Sequence, residues 1–556
     1  MALVGGRMEA VAPKRSLFGP DYFLLAGLVL VSLGIHVWLV SHTKVTARDS
    51  IGFARYALRI QSPESSNPDK PADRRRLKVD VVREAEQPPG YPIAVWIAAK
   101  AVRRTMVPER PEGLWSSTQL AESTLLATQI ANAVAALLLV VPTYLIGRML
   151  FSRSVGFSAA LLFQVLPVPA RITSDGLSEG VYLLAVATSL MLAVRAVRRP
   201  GVGGFLLTGL VVGASYLVRP EAMIVAGGTG LVAVWLGATR RWPRDLTLGR
   251  LAALGVGIML VAGPYMILIG KFSNKPTTQD MLQPTQMPRS NLMKGENAPA
   301  TSAPLFAKWI TSDTQGLPGR VVWGAVAVAE ETFKSLHYLP ALFALVGVFA
   351  LRRRIAAEPG LCVLLAVAGL NAMLLVYLGA RVGYVSERHT MLLAMLGCLF
   401  AAAALESIAS GLGRLPKIGF FWAGKFGPPA LLVILVGMAL PATLKPLHAN
   451  REGHKHAGLW LAERIQQDDC LIDPFCWAEW YAGRSLYFVP TDPTGQPKIT
   501  YAVADDRMRG DEHERLPRLE AARNVLADGR RELVFCWPEG STEETAKVKI
   551  YRLVRE

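Results

Sequence analysis

The chain has 556 residues, 51% of them hydrophobic, and a mean hydropathy of +0.31. A soluble protein of this length would not be apolar overall, so the composition excludes the soluble globular class and predicts an integral membrane protein. The net charge of +17 is interpreted through the enrichment of Lys and Arg in the cytoplasmic loops of membrane proteins. We therefore expect no nucleic-acid partner.

Eleven apolar runs are long enough to cross a bilayer once helix tilt is allowed for. In chain order they are 21–41, 121–147, 155–170, 177–194, 203–218, 222–238, 251–270, 336–351, 359–379, 390–408 and 427–441. The runs at 155–170 and 203–218 are the shortest. The sequence thus predicts a mainly α fold, a polytopic transmembrane helical bundle of about eleven spans.

Basic residues orient this bundle. Arg7, Lys14 and Arg15 precede the first run, and every second loop is basic, as at 352–354. This pattern places the N-terminus inside, and an odd number of spans then places the C-terminal tail outside. A signal peptide cleaved near residues 45–47 is the alternative. The first run is longer than a usual signal core, which favours an uncleaved helix.

Two segments on the external side are long. Segment 42–120 contains an amphipathic stretch at 50–60, a charged flexible piece at 61–78 and, at 91–104, a helix typical of the membrane interface. Segment 271–335 is rich in Pro, Thr, Gln and Asn and is interpreted as a mobile external loop.

The tail, 446–556, is predicted to be a small external α/β domain that follows a transmembrane domain over 1–445. Helices are predicted at 456–466 and 514–529, and strands at 470–474, 485–490, 499–505, 532–538 and 547–554. The tail also holds Cys470, Cys476 and Cys536. Their spacing is not that of a zinc site, and whether they form a disulfide is left open.

Charged side chains gather at the external ends of the spans. They are Arg48, Asp49, Glu86, Asp175, Glu179, Arg219, Arg388 and His389. Because charges near or within spans are costly, they tend to face a cavity or a partner. Several on one side predict a polar cavity at the outer membrane face, with the carboxylates and arginines that acid–base and phosphate chemistry use.

Simpler interpretations stand beside this one. Asp49 could only cap the amphipathic helix that follows it. Asp175 and Glu179, four residues apart, could only cap and charge the start of a span. Arg219 could be a boundary residue that reaches towards the interface. Arg388 fits its helix dipole poorly, since cations favour the C-terminal end, and this favours a functional role.

The assembled pattern resembles the polytopic GT-C glycosyltransferases, and in particular the branch of aminoarabinose transferases and protein O-mannosyltransferases. The features that carry the resemblance are Asp49 soon after the first span, "EQPPGYP" at 86–92, the Gly-Arg-x-Leu-Phe turn at 147–151, "YLVRPEAM" at 216–223 and "YVSERHTMLLAMLGCL" at 384–399. Together they cover roughly residues 20–410.

Two departures from the family pattern matter. The family often has His or Lys before the double proline, where this chain has Gln87. Another cation would then hold the donor phosphate, with Arg83, Lys100, Arg219 and Arg388 as candidates. The first acidic motif is often Asp-Glu, whereas here it is Asp49-Ser50. A metal site built from that pair is therefore disfavoured, and a divalent cation is left open.

The resemblance implies transfer of a sugar, with inversion, from a polyprenyl-phosphate donor to an acceptor hydroxyl of a glycan, lipid or protein. It implies Asp49 as the base. Asp175 would be a second carboxylate that positions the acceptor or helps the base, a part that Glu179 could play instead. The expected substrate-binding residues are Arg48, Glu86, Tyr91, Glu179, Arg219, Arg388 and His389.

The expected site lies at the outer face of the cytoplasmic membrane. Segments 50–60 and 91–104 would frame a lipid entrance, and 271–335 could close over the acceptor. A lipid or glycan transporter is the alternative class, since many spans around a polar cavity would also suit it. Charges at the external span ends and the lack of a visible repeat speak against transport.

Overall fold

The computed structural model of the chain describes residues 21–62, 74–106, 116–275, 317–414, 426–466, 468–488, 497, 499–509 and 518–554. Most of them are helical, and one small sheet lies near the C-terminus. This is the mainly α architecture that the apolar runs predict.

The helices of the first half of the chain are α1 (Asp21–Ser41), α2 (Arg48–Gln61), α3 (Arg74–Glu84), α4 (Gly90–Met106), α5 (Ser117–Leu150), α6 (Arg153–Val165), α7 (Pro167–Ser174), α8 (Glu179–Arg198), α9 (Val202–Tyr216), α10 (Met223–Ala238) and α11 (Arg244–Ile269). Those of the second half are α12 (Leu317–Ser335), α13 (Leu339–Ala350), α14 (Arg352–Ala357), α15 (Pro359–Val382), α16 (Met391–Leu412), α17 (Gly427–Thr443), α18 (Glu452–Ala462), α19 (Trp477–Tyr481) and α20 (Leu519–Ala527).

Among the described residues, seven helices are long and apolar enough to cross a membrane, or nine if each of two bent pairs counts as one span. Two shorter apolar helices, α9 and α17, add to these. Each of the eleven apolar runs coincides with one of these helices or pairs. The chain is therefore a multi-pass membrane protein, while a total of eleven spans stays a prediction.

The two bends have local causes. Helices α6 and α7 meet at 65°, where Leu166 is extended before Pro167, as a residue preceding proline prefers to be. Helices α12 and α13 meet at 109°, where His337 and Tyr338 both have positive φ. The last 19 residues of the segment predicted as a loop, 317–335, are thus helical. Residues 276–316 of that loop lie outside the described residues.

Close helix packing builds the bundle core. A Cβ on Gly209 of α9 would meet the Leu254 carbonyl oxygen at 2.2 Å, and one on Gly257 of α11 would meet that of Leu206 at 2.4 Å. Small residues of this kind let helix backbones approach one another in a membrane. The tight α9–α11 pair supports the turn after α9, which carries Arg219.

Three helices, α2 to α4, lie in the segment 42–120, which the sequence predicts to be external. Helix α2 is amphipathic, with Ile51, Ala54 and Leu58 buried on one face. Helix α4 matches the interfacial helix predicted at 91–104. On α4 the Lys100 ammonium lies 4.3 Å from the centre of the Trp96 ring, a contact suited to the boundary between lipid and water.

The C-terminal segment holds four strands, β1 (Cys470–Ile472), β2 (Ile499–Asp505), β3 (Glu532–Trp537) and β4 (Val548–Val554). They form a sheet in the order β1-β2-β4-β3, with β1 and β2 parallel and the other pairs antiparallel. The strand predicted at 485–490 is wrong for 485–488, which form bends; 489 and 490 lie outside the described residues. A domain boundary near 446 stays a prediction.

Candidate functional site

A cavity of about 1080 Å³ lies between α2, the turn after α9, and the segment that joins α15 to α16. Six cationic side chains line it: Arg48, Arg55, Arg59, Arg219, Lys275 and Arg388. Three carboxylates do so: Asp49, Glu86 and Glu221. The described lining therefore carries an excess of positive charge, which favours an anionic ligand.

Another part of the lining is apolar. It includes Phe53, Ile224, Phe272, Leu374, Leu375 and Leu378. A pocket that combines cations with a long apolar wall is chemically matched to an amphiphile, a charged group attached to a hydrocarbon chain.

A chain of ion pairs connects four predicted site residues, Arg219, Glu179, Arg388 and Asp49. Glu179 Oε1 accepts from Arg219 Nη1 at 3.3 Å and from Arg388 Nε at 3.0 Å. Arg388 Nη1 in turn donates to Asp49 Oδ2 at 2.6 Å. One guanidinium thus bridges a fully buried carboxylate and one that faces the cavity. The structure thus brings these four charged residues together, and their chemical roles stay predictions.

Local structure explains how these groups meet. Glu179 begins α8, where the helix dipole favours a negative charge. Arg219 is extended, with φ −152° and ψ 132°, before Pro220, and so points out of the turn between α9 and α10. Arg388 lies just before α16, and its neighbouring carboxylates hold its pKa above the usual range against the cost of burial.

Asp49 and Glu179 differ in exposure. The Asp49 side chain is 54% exposed, and that of Glu179 only 1%. Both receive a bond from Arg388, but only Asp49 lines the cavity. Asp49 can therefore reach a bound ligand, whereas Glu179 acts as the buried counter-charge that holds Arg219 and Arg388 in place.

Asp175 lies outside the lining of the described cavity. It is 3% exposed, its Oδ2 contacts His448 Nε2 at 2.7 Å, and its Oδ1 accepts from the backbone N–H groups of Ala47 at 3.0 Å and Gly176 at 2.7 Å. Burial opposes the charged form, but His448 and the two N–H groups lower its pKa. The catalytic role expected for Asp175, to position the acceptor or help the base, stays a prediction.

Tyr91 is also absent from the described lining, and its substrate-binding role stays a prediction. It is fully buried, and its hydroxyl donates to the Thr128 carbonyl oxygen at 3.0 Å. Its ring packs edge-on against Phe53, with centroids 4.8 Å apart. The Pro-Pro-x-Tyr motif thus places a packing residue under α2, while Glu86 and Gln87, just before it, line the cavity.

His389 lines the cavity, as predicted. Its Nδ1 accepts from the Ser386 backbone N–H at 3.1 Å. Burial and the nearby cations, Arg219 first among them, lower its pKa to about 4. The imidazole is therefore neutral near pH 7 and can exchange hydrogen bonds with a polar ligand.

Four cations were candidates to replace the family residue at the position of Gln87. Arg219 and Arg388 line the cavity. Arg83 instead donates to the Leu268 carbonyl oxygen at 3.3 Å, and Lys100 stacks on Trp96 of its own helix. Neither of these two is among the described lining residues.

Four cations of the lining were not among those candidates. Lys275 pairs with Glu221 beside Arg219, and it follows α11 inside the segment predicted as a mobile loop, so nothing local indicated it. Arg55 and Arg59 lie one turn apart on α2, and Arg48, predicted to bind substrate, lies seven residues before Arg55. That helical spacing puts all three on one face and could have identified Arg55 and Arg59.

The described residues supply no ready metal site. Within the described ranges, no three His, Cys, Asp or Glu side chains are grouped as metal ligands. The divalent cation left open by the sequence therefore gains no ligand set from these residues, and the cations of the lining are the groups placed to meet an anion.

Comparisons with known proteins agree with this architecture. Residues 113–267 match the family described as dolichyl-phosphate-mannose-protein mannosyltransferase. The fold is similar to that of ArnT from Cupriavidus metallidurans, with a TM-score of 0.54 and 13% identity over 96% of this chain and 98% of that one in the apo state. For ArnT bound to undecaprenyl phosphate the TM-score is 0.53 and the identity 12%, over 96% and 97%.

A second similarity is to the oligosaccharyltransferase AglB from Archaeoglobus fulgidus, solved in complex with an inhibitory peptide and a dolichol-phosphate. Its TM-score is 0.51 and its identity 12%, over 84% of this chain. The matched region spans 64% of the length of AglB. No curated protein matches the chain by sequence. At these identities the likeness shows the fold.

Proposed function

We propose that this chain, which has the GT-C fold of polytopic membrane glycosyltransferases, is an inverting glycosyltransferase. It would move a sugar from a polyprenyl phosphate to an acceptor hydroxyl at the outer face of the cytoplasmic membrane. The observation that carries the proposal is the half-exposed carboxylate of Asp49 on the wall of an amphiphile-sized cavity, bonded at 2.6 Å to Arg388.

We assign the donor phosphate to three of the lining cations, Arg219, Arg388 and Lys275. The two arginines share Glu179 as counter-ion. Guanidinium groups match phosphate oxygens in geometry, and they stabilise the charge that grows on the phosphate as it leaves. Lipid phosphate is a good leaving group, so the reaction needs no strong general acid.

Asp49 is the proposed base. Its carboxylate takes the proton of the acceptor hydroxyl as the oxygen attacks the anomeric carbon. A new carbon–oxygen bond forms on one face of the sugar while the bond to phosphate breaks on the opposite face, and that electron pair leaves with the phosphate. The bond from Arg388 orients the Asp49 carboxylate, and orientation supplies much of the rate.

The apolar part of the lining would receive the first isoprene units. Leu374, Leu375 and Leu378 lie on one face of α15, and Ile224 faces the cavity from α10. This surface lies next to the proposed phosphate position and favours a lipid-linked sugar over a free one. No observation in the described residues specifically favours the transporter alternative.

The test is a release assay on the purified full chain. The protein is incubated with a panel of radiolabelled sugars on polyprenyl phosphate, with the same sugars on polyprenyl diphosphate as controls, and the released lipid phosphate is measured. We expect release from a monophosphate donor that depends on an added acceptor extract. Movement of intact donor between vesicle leaflets without release would contradict the proposal and favour transport.

A further inference from the structure

The first turn of α2 has no side-chain cap from the residue that precedes it, Ala47, although Arg48 and Asp49 follow directly. Helix starts leave free N–H groups that need partners from elsewhere. Besides the bond from Arg388 to Asp49, contacts from two other remote parts of the chain hold the backbone just before the helix.

Asp175 is the first partner. Its Oδ1 accepts from the Ala47 N–H at 3.0 Å, and its Oδ2 bonds His448 Nε2 at 2.7 Å. His448 follows the last apolar helix and has positive φ, 49°. One buried carboxylate therefore ties the entry to α2 to the segment that leads into the C-terminal sheet.

Trp477 is the second partner. Its indole Nε1–H donates to the Thr46 carbonyl oxygen at 3.1 Å, and the side chain is 3% exposed. Further along α2, Arg55 Nε donates to the Ser485 carbonyl oxygen at 2.9 Å. The C-terminal segment thus contacts α2 at its start and in its middle.

These bonds are embedded in an apolar core. Ile51 and Leu58 of α2 belong to one buried cluster with Phe475, Trp477 and Trp480 of the C-terminal segment. The buried face of α2 therefore packs on that segment while its other face lines the cavity. A hydrogen bond inside such a core has little water to compete with it, so its direction is well defined.

We propose that Asp175, His448 and Trp477, which we call the α2 clamp, position the first turn of α2 so that Asp49 stays in line with the bound substrates. Asp175 is then a positioning residue and not a second base. The inference rests on the proposed function of Asp49 for its kinetic consequences. The contacts themselves do not depend on that function.

A matched pair of tryptophans tests the clamp. Trp477 and Trp480 lie in the same short helix, both are buried, and both donate an indole N–H to a backbone carbonyl oxygen. Trp477 bonds Thr46, before α2, whereas Trp480 bonds Ala121, in α5, at 3.2 Å. Replacing each by Phe removes one comparable bond and keeps most of the packing.

In the full chain, Trp477→Phe is expected to lower kcat by about fivefold or more with little change in donor KM, because the base is displaced from its working position. Trp480→Phe is expected to leave kcat within about twofold of wild type, since its bond does not reach α2. Hydrogen exchange over residues 44–52, measured by mass spectrometry, should accelerate in Trp477→Phe and not in Trp480→Phe. Equal effects of the two variants on both measurements would overturn the clamp, since docking would then stabilise the protein without positioning α2.

Asp175 is tested by comparing two substitutions. Asp175→Asn keeps an oxygen that can accept from Ala47, so it should retain much more activity than Asp175→Ala, which should also speed the exchange over 44–52. If both variants are equally inactive and the exchange is unchanged, Asp175 takes part in the chemistry and the positioning role is wrong.

The exchange measurement also separates this inference from the proposed function. It needs no turnover, so it reports on the clamp even if no donor is found. If Asp49→Asn keeps full transfer while exchange still accelerates in Trp477→Phe, the base assignment fails and the clamp survives. If exchange is unchanged in Trp477→Phe while Asp49→Asn is inactive, the clamp fails and the base assignment survives.

Discussion

The two polar walls of the cavity are built differently. The wall that holds Arg219 and Arg388 has the less exposed side chains, and we call it the deep wall. Both arginines pair with Glu179, which is almost completely buried and does not line the cavity. In the α2 wall, Asp49 is half exposed, and Arg55 bonds a backbone carbonyl oxygen of the C-terminal segment. The deep wall is therefore fixed by its own charges, whereas the α2 wall depends on packing from behind. Arg388 joins the two walls.

Of the substitutions in the two walls, we expect the largest loss of transfer from one at Asp49, the exposed carboxylate. Asp49→Asn keeps the size of the side chain and removes the base, so transfer should fall by about 10³-fold or more, within the range for general bases. Expression and detergent-solubilised stability should stay near wild type, because the residue is half exposed. Transfer rates by scintillation counting provide the measurement. Near-normal transfer would reject Asp49 as the base.

The second-largest loss of transfer is expected from removing the side chain that joins the two walls. Arg388→Gln removes the group that contacts both Asp49 and Glu179, and we expect a loss of roughly 10²-fold in kcat/KM, as for loss of one preorganised electrostatic contact. Arg381→Gln is the matched control, because Arg381 bonds Tyr377 and is not among the described lining residues. Initial rates over a donor concentration series measure both. An equal loss in both variants would argue against a special role for Arg388.

The deep wall can be weakened by replacing Glu179, which does not itself line the cavity. Glu179→Gln leaves Arg219 and Arg388 without their shared counter-charge, and removing one partner of a buried pair costs about 3–5 kcal/mol. The unfolding temperature of the apo protein should fall clearly. Added polyprenyl phosphate should recover much of the loss, because an anion replaces the missing charge. Scanning calorimetry with and without the lipid measures this recovery. If the lipid does not raise the unfolding temperature of Glu179→Gln, the phosphate binds elsewhere.

The smallest expected effect is on the pH dependence of the unfolding temperature. The pKa of His389 is lowered to about 4 in the folded state, so the unfolded chain binds an extra proton between about pH 6.5 and 4. Stability from the neutral imidazole is complete above about pH 6.5 and is lost as pH falls through about 4. His389→Asn should therefore flatten the decline in unfolding temperature over this range relative to wild type. Parallel curves for both proteins would contradict a neutral His389.

Sequence patterns predicted the parts of the fold that follow from local chemistry. Hydropathy located the apolar helices, and the amphipathic spacing of α2 and the helix at 91–104 were both correct. The bent helix pairs were only partly predicted. The half at 317–335 carries charges such as Glu330, Glu331 and Lys334, which concealed its helix within a long polar segment.

The candidate site depends more heavily on contacts between distant parts of the chain. Asp49, Arg219 and Arg388 could be found because each follows or precedes a span on one side of the membrane. Asp175 satisfied the same rule but points towards His448, 273 residues later in the chain. Which of two acidic residues faces the cavity depends on tertiary contacts that no local pattern encodes. Lys275 and Trp477 were missed for the same reason.

The position of strand β4 in the sheet determines when the sheet can be completed during synthesis of the chain. It lies between β2 and β3 and bonds both, yet it is the last of the four strands to leave the ribosome. Until residues 548–554 emerge, β3 has no strand to join and the surface beneath α2 lacks its finished support. Because Tyr551 and Leu553 of β4 belong to the same buried cluster as Ile51 and Leu58 of α2, the packing beneath α2 is complete only after β4 has been translated.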